Sequence, residues 1–205
     1  LYTGMHRSDE LILFIDVGTN GEIVLGNSDF LITAACSAGP AFEGGGIRWG
    51  MRAESGAIEK ITIHPETFEP EYATVDDKPA RGICGSGMID LMSEMVVKGV
   101  IGQDGKFVLP DSHPRMIRMG DESAFILEFG EQTAMKEDIV FTESDIRSLT
   151  LSKAAVYAGF TVLLEEVGMD FSGVQRMIIT GGFGQYLDIE KAVAIGLLPD
   201  IERHK

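Results

Sequence analysis

An acidic residue and a glycine-rich turn lie next to each other near the start of the chain, in an arrangement that could bind phosphate. Asp16 directly follows the apolar run of residues 11–15, which is typical of a buried strand. The turn after it consists of Gly18, Thr19, Asn20 and Gly21. Its backbone can take positive φ and bring N–H groups close to a ligand, and a carboxylate beside it suits a phosphate with its magnesium ion. An ordinary hairpin with Asn20 and Gly21 at its tip explains the same residues.

Two further glycine-rich segments could also contact an anion. One leads into a helix predicted for residues 88–98, and a helix N-terminus favours negative charge. The other follows a strand predicted for residues 176–180, at the end of the strand where open α/β sheets bind their ligands. The residues concerned are Gly85, Ser86 and Gly87 in the first segment, and Gly181, Gly182 and Phe183 in the second. A tightly packed turn is the alternative interpretation of each segment.

Other polar side chains carry weaker signals. Glu22 and Glu43 are candidates for an acid or a metal-side ligand, although Glu22 alternates with apolar neighbours as an exposed strand residue does. Lys153, by its spacing, is better explained as a solvated lysine. Cys36 and Cys84 are either ligands of a cluster shared between two subunits or, as we favour, small buried side chains. The sequence contains no metal-ligand spacing, nucleophile elbow, Walker loop or dinucleotide fingerprint.

The hydrophobic pattern predicts the elements that must position these candidates. Strands at residues 11–15, 22–26 and 30–36 follow one another and predict an antiparallel meander. Further strands are predicted at residues 57–63, 72–75, 116–119, 124–129 and 176–180, and a final helix at 188–195. The fold class is therefore α/β, with a mixed sheet that is antiparallel at its opening meander and parallel after it, and with helices on its faces. Residues 1–205 form a single domain, in which residues 53–140 are an insertion rich in loops and strands.

The longest predicted helix begins at Thr142 and runs to about Val167. Thr142 and Asp145 have the spacing of a capping box. One apolar face carries Leu151, Ala154, Ala155, Ala158 and Val162, and a second carries Phe160, Leu163, Leu164 and Val167. Apolar residues on so wide an arc predict that the helix is deeply buried. In the helix at 88–98, Glu94 and Lys98 are spaced to form an ion pair.

Composition narrows the choice of partners. The chain has 205 residues, is 44% hydrophobic and carries a formal net charge of −15. That charge argues against nucleic acid and against anionic membrane surfaces, but one metal ion and a ring of amides can still hold ATP. No apolar run approaches the roughly 18 residues of a membrane span. Two cysteines are too few for a disulfide framework, which predicts a cytoplasmic protein.

Five segments together resemble a known family. They are residues 14–27, 35–44 and 82–90, and residues 181–184 with 195–199. They are similar to the carboxy-terminal ATPase domain of reductive activators of corrinoid proteins, which contain a ferredoxin domain. That domain belongs to the ribonuclease H-like superfamily of actin, sugar and acetate kinases and heat-shock chaperones. The resemblance extends over nearly the whole chain and implies one actin-type ATPase lobe.

The resemblance also implies an activity and a partner. It implies ATP-dependent reduction of the Co(II) corrinoid of a methyl-transferring protein to Co(I). The partner would be a corrinoid iron–sulfur protein or a corrinoid methyl-transfer protein, and a homodimer is left open. ATP and magnesium are the implied cofactors. An iron–sulfur cluster of the 2Fe–2S type is expected only in an amino-terminal domain that this sequence lacks.

Site residues are carried over from the family by position. Asp16 would hold magnesium through water or orient the attacking water. The hairpin residues Gly18, Thr19, Asn20 and Gly21 would bind phosphate, and Gly181, Gly182 and Phe183 would form the adenosine-binding turn. Gly85, Ser86 and Gly87 would line the same cleft, and Lys153 would approach the nucleotide base.

This sequence differs from the family because it lacks parts that the family's ATPase domain contains. The first lobe with the first phosphate hairpin is absent, so residues 1–205 would be the second lobe of a two-lobed domain. We therefore expect weak nucleotide binding and little hydrolysis from this segment alone. Two other functions stay open: a lobe of a small-molecule kinase, and a module that docks a corrinoid protein without hydrolysing ATP.

Overall fold

A four-stranded sheet contains the first and the last strand of the described chain. The structure is a computed structural model and describes residues 3–182 and 186–201. The sheet has the order β10-β1-β2-β3, with the strands β1 Ile12–Val17, β2 Gly21–Gly26, β3 Leu31–Cys36 and β10 Arg176–Thr180. The first three strands form the predicted antiparallel meander, and β10 pairs with β1 in parallel. The predicted fold class is thus confirmed.

Alternation along β1 decides which way its side chains face. Leu13, Ile15 and Val17 are fully buried on the face that a long helix covers, whereas Phe14 and Asp16 on the other face are only partly buried. Because opposite residues of an antiparallel pair share a face, Glu22 lies on the same side as Asp16.

Two small sheets lie between residues 57 and 142. The first has the order β5-β4-β6 and the second the order β7-β8-β9. Their strands are β4 Ala57–Ile63, β5 Pro70–Thr74, β6 Gly82–Ile83, β7 Met116–Met119, β8 Glu122–Glu128 and β9 Ile139–Thr142. The sequence predicted four of these strands and missed β6 and β9. β6 has only two residues and β9 has four that run directly into a helix cap, so neither is long enough to show a period of two.

Helix α1 spans Gly85–Val97 and begins three residues earlier than the sequence predicted. Gly85, Ser86 and Gly87 therefore form its first turn, and the prediction of a loop there is wrong. A Cβ atom on Gly87 would lie 2.2 Å from the Ile58 carbonyl oxygen. The glycine is needed because α1 begins in direct contact with the backbone of β4.

Helix α2 spans Glu143–Glu166 and is continuous. It packs on β2 and β3 through Val156, Phe160 and Leu163, which are buried. The prediction that both of its apolar faces are buried is wrong, because Leu151 is 66% and Val162 is 59% exposed. A sheet can cover only one side of a helix, and among the described residues no second layer encloses the other side.

The predicted capping box of α2 is confirmed and has a tertiary role. Thr142 Oγ1 accepts a hydrogen bond from the Asp145 N–H at 3.1 Å, and Asp145 Oδ2 accepts one from the Thr142 N–H at 2.9 Å. Asp145 Oδ1 also accepts from the Arg48 N–H at 2.8 Å. The carboxylate is only 2% exposed. It therefore joins the start of α2 to the loop at residue 48.

We expect Asp145→Ala to lower the free energy of unfolding by about 2–4 kcal/mol, because it breaks the capping box and leaves the buried Thr142 N–H and the partly buried Arg48 N–H without their acceptor. Urea denaturation of the chain measures the change. Thr150→Ala, at an exposed position of the same helix, is the control and should shift stability by less than about 0.5 kcal/mol. An equal effect of both substitutions would contradict this role of Asp145.

Helix α3, Ile189–Ala194, is tied to β4 and α1 by one lysine. Because β6 pairs only with residues 57 and 58 of β4, the rest of that edge needs other partners. Asp90 accepts from the Ile61 N–H at 3.2 Å and Glu94 from the Ile63 N–H at 3.1 Å. Lys191 donates to the Ile61 carbonyl at 2.8 Å and pairs with Asp90 at 2.9 Å and with Glu94 at 3.6 Å. The sequence predicted that Glu94 pairs with Lys98. In the structure Glu94 pairs instead with Lys191 of α3.

The helices described between residues 3 and 201 are all too short or too polar to cross a membrane.

Candidate functional site

A cavity of about 460 Å³ lies where the end of β1, the turn Ala41–Glu43 and the start of α1 meet. Its lining includes Val17, Glu43, Cys84, Gly85, Ser86 and Gly182. Parts of all three glycine-rich segments, or residues next to them, thus come together at one place. The size lies within the range of small-molecule pockets.

The β1–β2 hairpin forms one wall of this site. The Gly18 N–H donates to the Asn20 carbonyl at 3.0 Å, which closes a tight turn and leaves Thr19 and Asn20 exposed at the tip. Thr19 Oγ1 donates to Glu43 Oε2 at 2.6 Å. The tip therefore presents its polar groups toward the side of the cavity that Glu43 lines.

Asp16 lies beside the glycine turn that follows β10. It stands opposite Thr180 in the parallel register, next to the lining residue Val17. A Cβ atom on Gly181 would lie 2.9 Å from Asp16 Oδ1 and 2.3 Å from the Val17 carbonyl oxygen, and Gly181 has φ of 111°. Only glycine fits there. Gly182 is exposed, and a Cβ atom on it would meet no atom of the described residues within 4 Å, so this side of the turn is open in the part of the chain that the structure describes. Phe183 falls outside the described residues.

The N-terminus of α1 forms the opposite wall. Its N-cap residue Cys84 makes no side-chain capping hydrogen bond. The Cys84 thiol instead donates to the Ile58 carbonyl at 3.3 Å and lies 3.4 Å from Ser86 Oγ. Since Gly85 and Ser86 line the cavity, the positive end of this helix dipole faces it. Such an end attracts an anion.

Some candidates serve packing. A Cβ atom on Gly21 would lie 2.5 Å from Cys36 Sγ, and this thiol donates to the Gly21 carbonyl at 3.4 Å. Burial raises the pKa of the Cys36 thiol. Cys36 and Cys84 are both buried and free, which favours their interpretation as small core side chains. Within the part of the chain that the structure describes, no three histidine, cysteine or acidic residues come together as a metal site.

Lys153 lines two other cavities, on the outer side of α2. Its Nζ lies 3.7 Å from the position of a Cβ atom on Gly196. Its contact with a nucleotide base therefore stays a prediction. Arg52 and Glu59 line the candidate cavity and were missed, because they lie in a loop and a strand whose spacing carries no chemical signal.

The chain is similar to known proteins along nearly its whole length. A family model described as the C-terminal domain of RACo, the ASKHA domain, matches residues 10–205. The corrinoid activation enzyme RamQ of Eubacterium limosum is 37% identical over 206 residues, which cover 97% of this chain and 34% of RamQ. A [Co(II) methylated amine-specific corrinoid protein] reductase of Methanosarcina barkeri is 27% identical over 209 residues, covering 91% of this chain and 34% of the reductase.

A solved structure, a reductive activator for a corrinoid, iron–sulfur protein, has 48% sequence identity and a TM-score of 0.90, and the match covers 98% of this chain and 32% of that one. The chain thus spans about a third of the length of the proteins that it matches. The predicted resemblance is confirmed. The chain belongs to the family of C-terminal ASKHA domains of RACo.

Proposed function

We propose that this chain is the nucleotide-binding lobe of an ATP-dependent reductive activator of a corrinoid protein. The activator would reduce the Co(II) corrinoid of a methyl-transferring partner by one electron to Co(I). The names of three related proteins, each an activator or reductase of corrinoid proteins, support this reaction class. Cytoplasmic location belongs to the same proposal, and a homodimer stays open.

The observation that carries the proposal is the convergence of three segments on one cavity. They are the end of β1 at Val17, which leads into the hairpin, the α1 N-terminus without a side-chain cap, and the glycine turn at Gly182. The cavity is large enough for part of a nucleotide, and its charged lining includes only one cation, Arg52, among the described residues. Backbone amides would therefore carry much of the phosphate binding.

Asp16 is the proposed catalytic residue. Thr19 and Glu43 place oxygen atoms at the hairpin, and hard oxygen ligands suit magnesium. The ion, when bound with ATP, would neutralise charge on the phosphates. Asp16 would hold it through water or orient the attacking water. The hairpin backbone at Gly18, Thr19 and Asn20 would bind phosphate, and the turn at Gly181 and Gly182 would bind the adenosine.

The two-lobed architecture is also part of the proposal. One face of the first sheet is covered by α2, whereas the opposite face carries Phe14, Val24 and Ile178 partly exposed and Leu31 47% exposed. We propose that a first lobe, in the longer natural protein, covers this face and closes the cleft. The electron would come from a 2Fe–2S domain of that protein, and residues 53–140 would be an insertion in the second lobe.

Calorimetry with ATP and the full-length natural protein tests nucleotide binding. We expect Gly182→Leu to weaken ATP binding about tenfold or more, because the side chain enters the open space beside the turn. It should leave the urea midpoint unchanged. Gly173→Leu is the control, because Gly173 is an exposed glycine that precedes the start of β10, at the opposite end of the strand from Gly182. It should leave ATP binding unchanged.

Other outcomes distinguish the rival functions. A protein that binds the corrinoid partner firmly but shows no affinity for ATP would be a docking module. Transfer of phosphate to a small acceptor, with no activation of a corrinoid protein, would indicate a kinase.

A further inference from the structure

The Glu43 carboxylate lies over the tip of the β1–β2 hairpin. Glu43 Oε2 accepts from Thr19 Oγ1 at 2.6 Å, and Glu43 Oε1 lies 3.7 Å from the position of a Cβ atom on Gly18. Glu43 also lines the cavity together with Val17 and Ser86. A full negative charge therefore stands next to the loop amides to which the proposed function assigns a phosphate.

Two anions at such a short distance repel each other unless a cation lies between them. Magnesium is suited to that place, because proteins bind it through one or two carboxylates together with substrate phosphates while it keeps several waters. A carboxylate at the hairpin tip is thus unfavourable for a bare phosphate but favourable for a phosphate with its metal.

The hydrogen bond also defines what the Thr19 hydroxyl can do. A hydroxyl has one proton, and Thr19 donates it to Glu43. The oxygen then has only lone pairs to offer, which suit a hard cation and not a phosphate oxygen. A threonine or serine hydroxyl serves magnesium in the same way in phosphate-binding loops of other folds.

We propose that Thr19 and Glu43 form the cation side of the phosphate site, where the Thr19 hydroxyl oxygen faces magnesium and Glu43 holds that hydroxyl in place. Glu43 is then a positioning residue, and its charge adds to the attraction for the ion. This inference rests on the proposed nucleotide-binding function and extends it, because Asp16 alone was assigned to the metal.

The test measures the dissociation constant of ATP for the full-length natural protein by calorimetry, once with Mg²⁺ and once with a chelator. We define the magnesium factor as the dissociation constant measured with the chelator divided by the one measured with Mg²⁺. We expect Glu43→Gln, which keeps the shape but removes the charge, to reduce this factor roughly ten- to hundredfold. Thr19→Val should reduce it in the same way, and Thr19→Ser should retain it.

Glu66→Gln is the matched control, because Glu66 is an exposed carboxylate in the turn between β4 and β5 and does not line the cavity. It should leave the magnesium factor within about threefold of the wild type. An equal reduction by Glu66→Gln would show a general charge effect and overturn the inference.

Three further results are distinguishable. A wild-type protein without ATP affinity would overturn the proposed function itself. An unchanged magnesium factor in both Glu43→Gln and Thr19→Val would overturn this inference alone. Tighter binding of ATP to Glu43→Gln with and without Mg²⁺ would show that Glu43 competes with phosphate, which also overturns it.

Discussion

Asp16→Ala should lower ATP-dependent activation of the corrinoid partner at least about a hundredfold, because it removes the carboxylate next to the phosphate hairpin. The expected loss is selective. Reduction of the proposed iron–sulfur cluster in the full-length natural protein should be unchanged, because Asp16 belongs to the proposed nucleotide site and not to the proposed iron–sulfur domain. The Co(II) to Co(I) conversion is followed by the absorbance of the corrinoid.

The position of Asp16 makes the substitution tolerable for folding. The carboxylate is only partly buried, so its removal does not open a fully enclosed cavity in the core. Asp29→Ala is the matched control, because Asp29 is an exposed aspartate in the turn at the other end of β2. Unchanged activation by Asp16→Ala would exclude the catalytic role, and an equal loss with Asp29→Ala would attribute the effect to net charge.

Lys191→Met should lower the free energy of unfolding by about 3 kcal/mol, because it leaves the buried Asp90 carboxylate without its cation. The Asp90 side chain is 8% exposed and that of Lys191 is 18% exposed, so water screens the pair only in part. Urea denaturation measures the loss. Lys60→Met, at an exposed position of β4, should change stability by less than about 0.5 kcal/mol.

A double substitution separates the ion pair from the packing of Lys191. Asp90→Asn keeps an acceptor for the Ile61 N–H but removes the charge. If the pair matters, Lys191→Met combined with Asp90→Asn should lose less stability than the sum of the two single changes. Strict additivity would contradict the coupling. We expect the two substitutions to be non-additive, because Lys191 joins α3 to both β4 and α1.

Local signals in the sequence predicted the local structure well. The meander followed from three short apolar runs with turn residues between them, and the start of α2 followed from Thr142 and Asp145 alone. In each case the partners lie close together along the chain. The start of α1 was misplaced, because glycines look like a loop in sequence, whereas Gly87 is required by the nearby β4 backbone.

Contacts between distant residues could not be predicted in this way. Glu94 and Lys98 are spaced to pair along one helix, yet Glu94 pairs with Lys191 from another. The Thr19–Glu43 hydrogen bond joins residues 24 positions apart, and neither residue type specifies the other. Both faces of α2 carry apolar residues, so the sequence did not show which of the two the sheet would cover.

The sequence by itself determined that Asp16 and the glycine turn after it form a hairpin at the end of a buried strand, because hydrophobic runs and turn residues act over a few neighbours. It also determined the family, through segments spread along the whole chain. Only the tertiary structure decided which glycines face the cavity and which serve packing. Gly182 borders open space, whereas Gly21 and Gly87 are needed because Cys36 and Ile58 approach them from far along the chain.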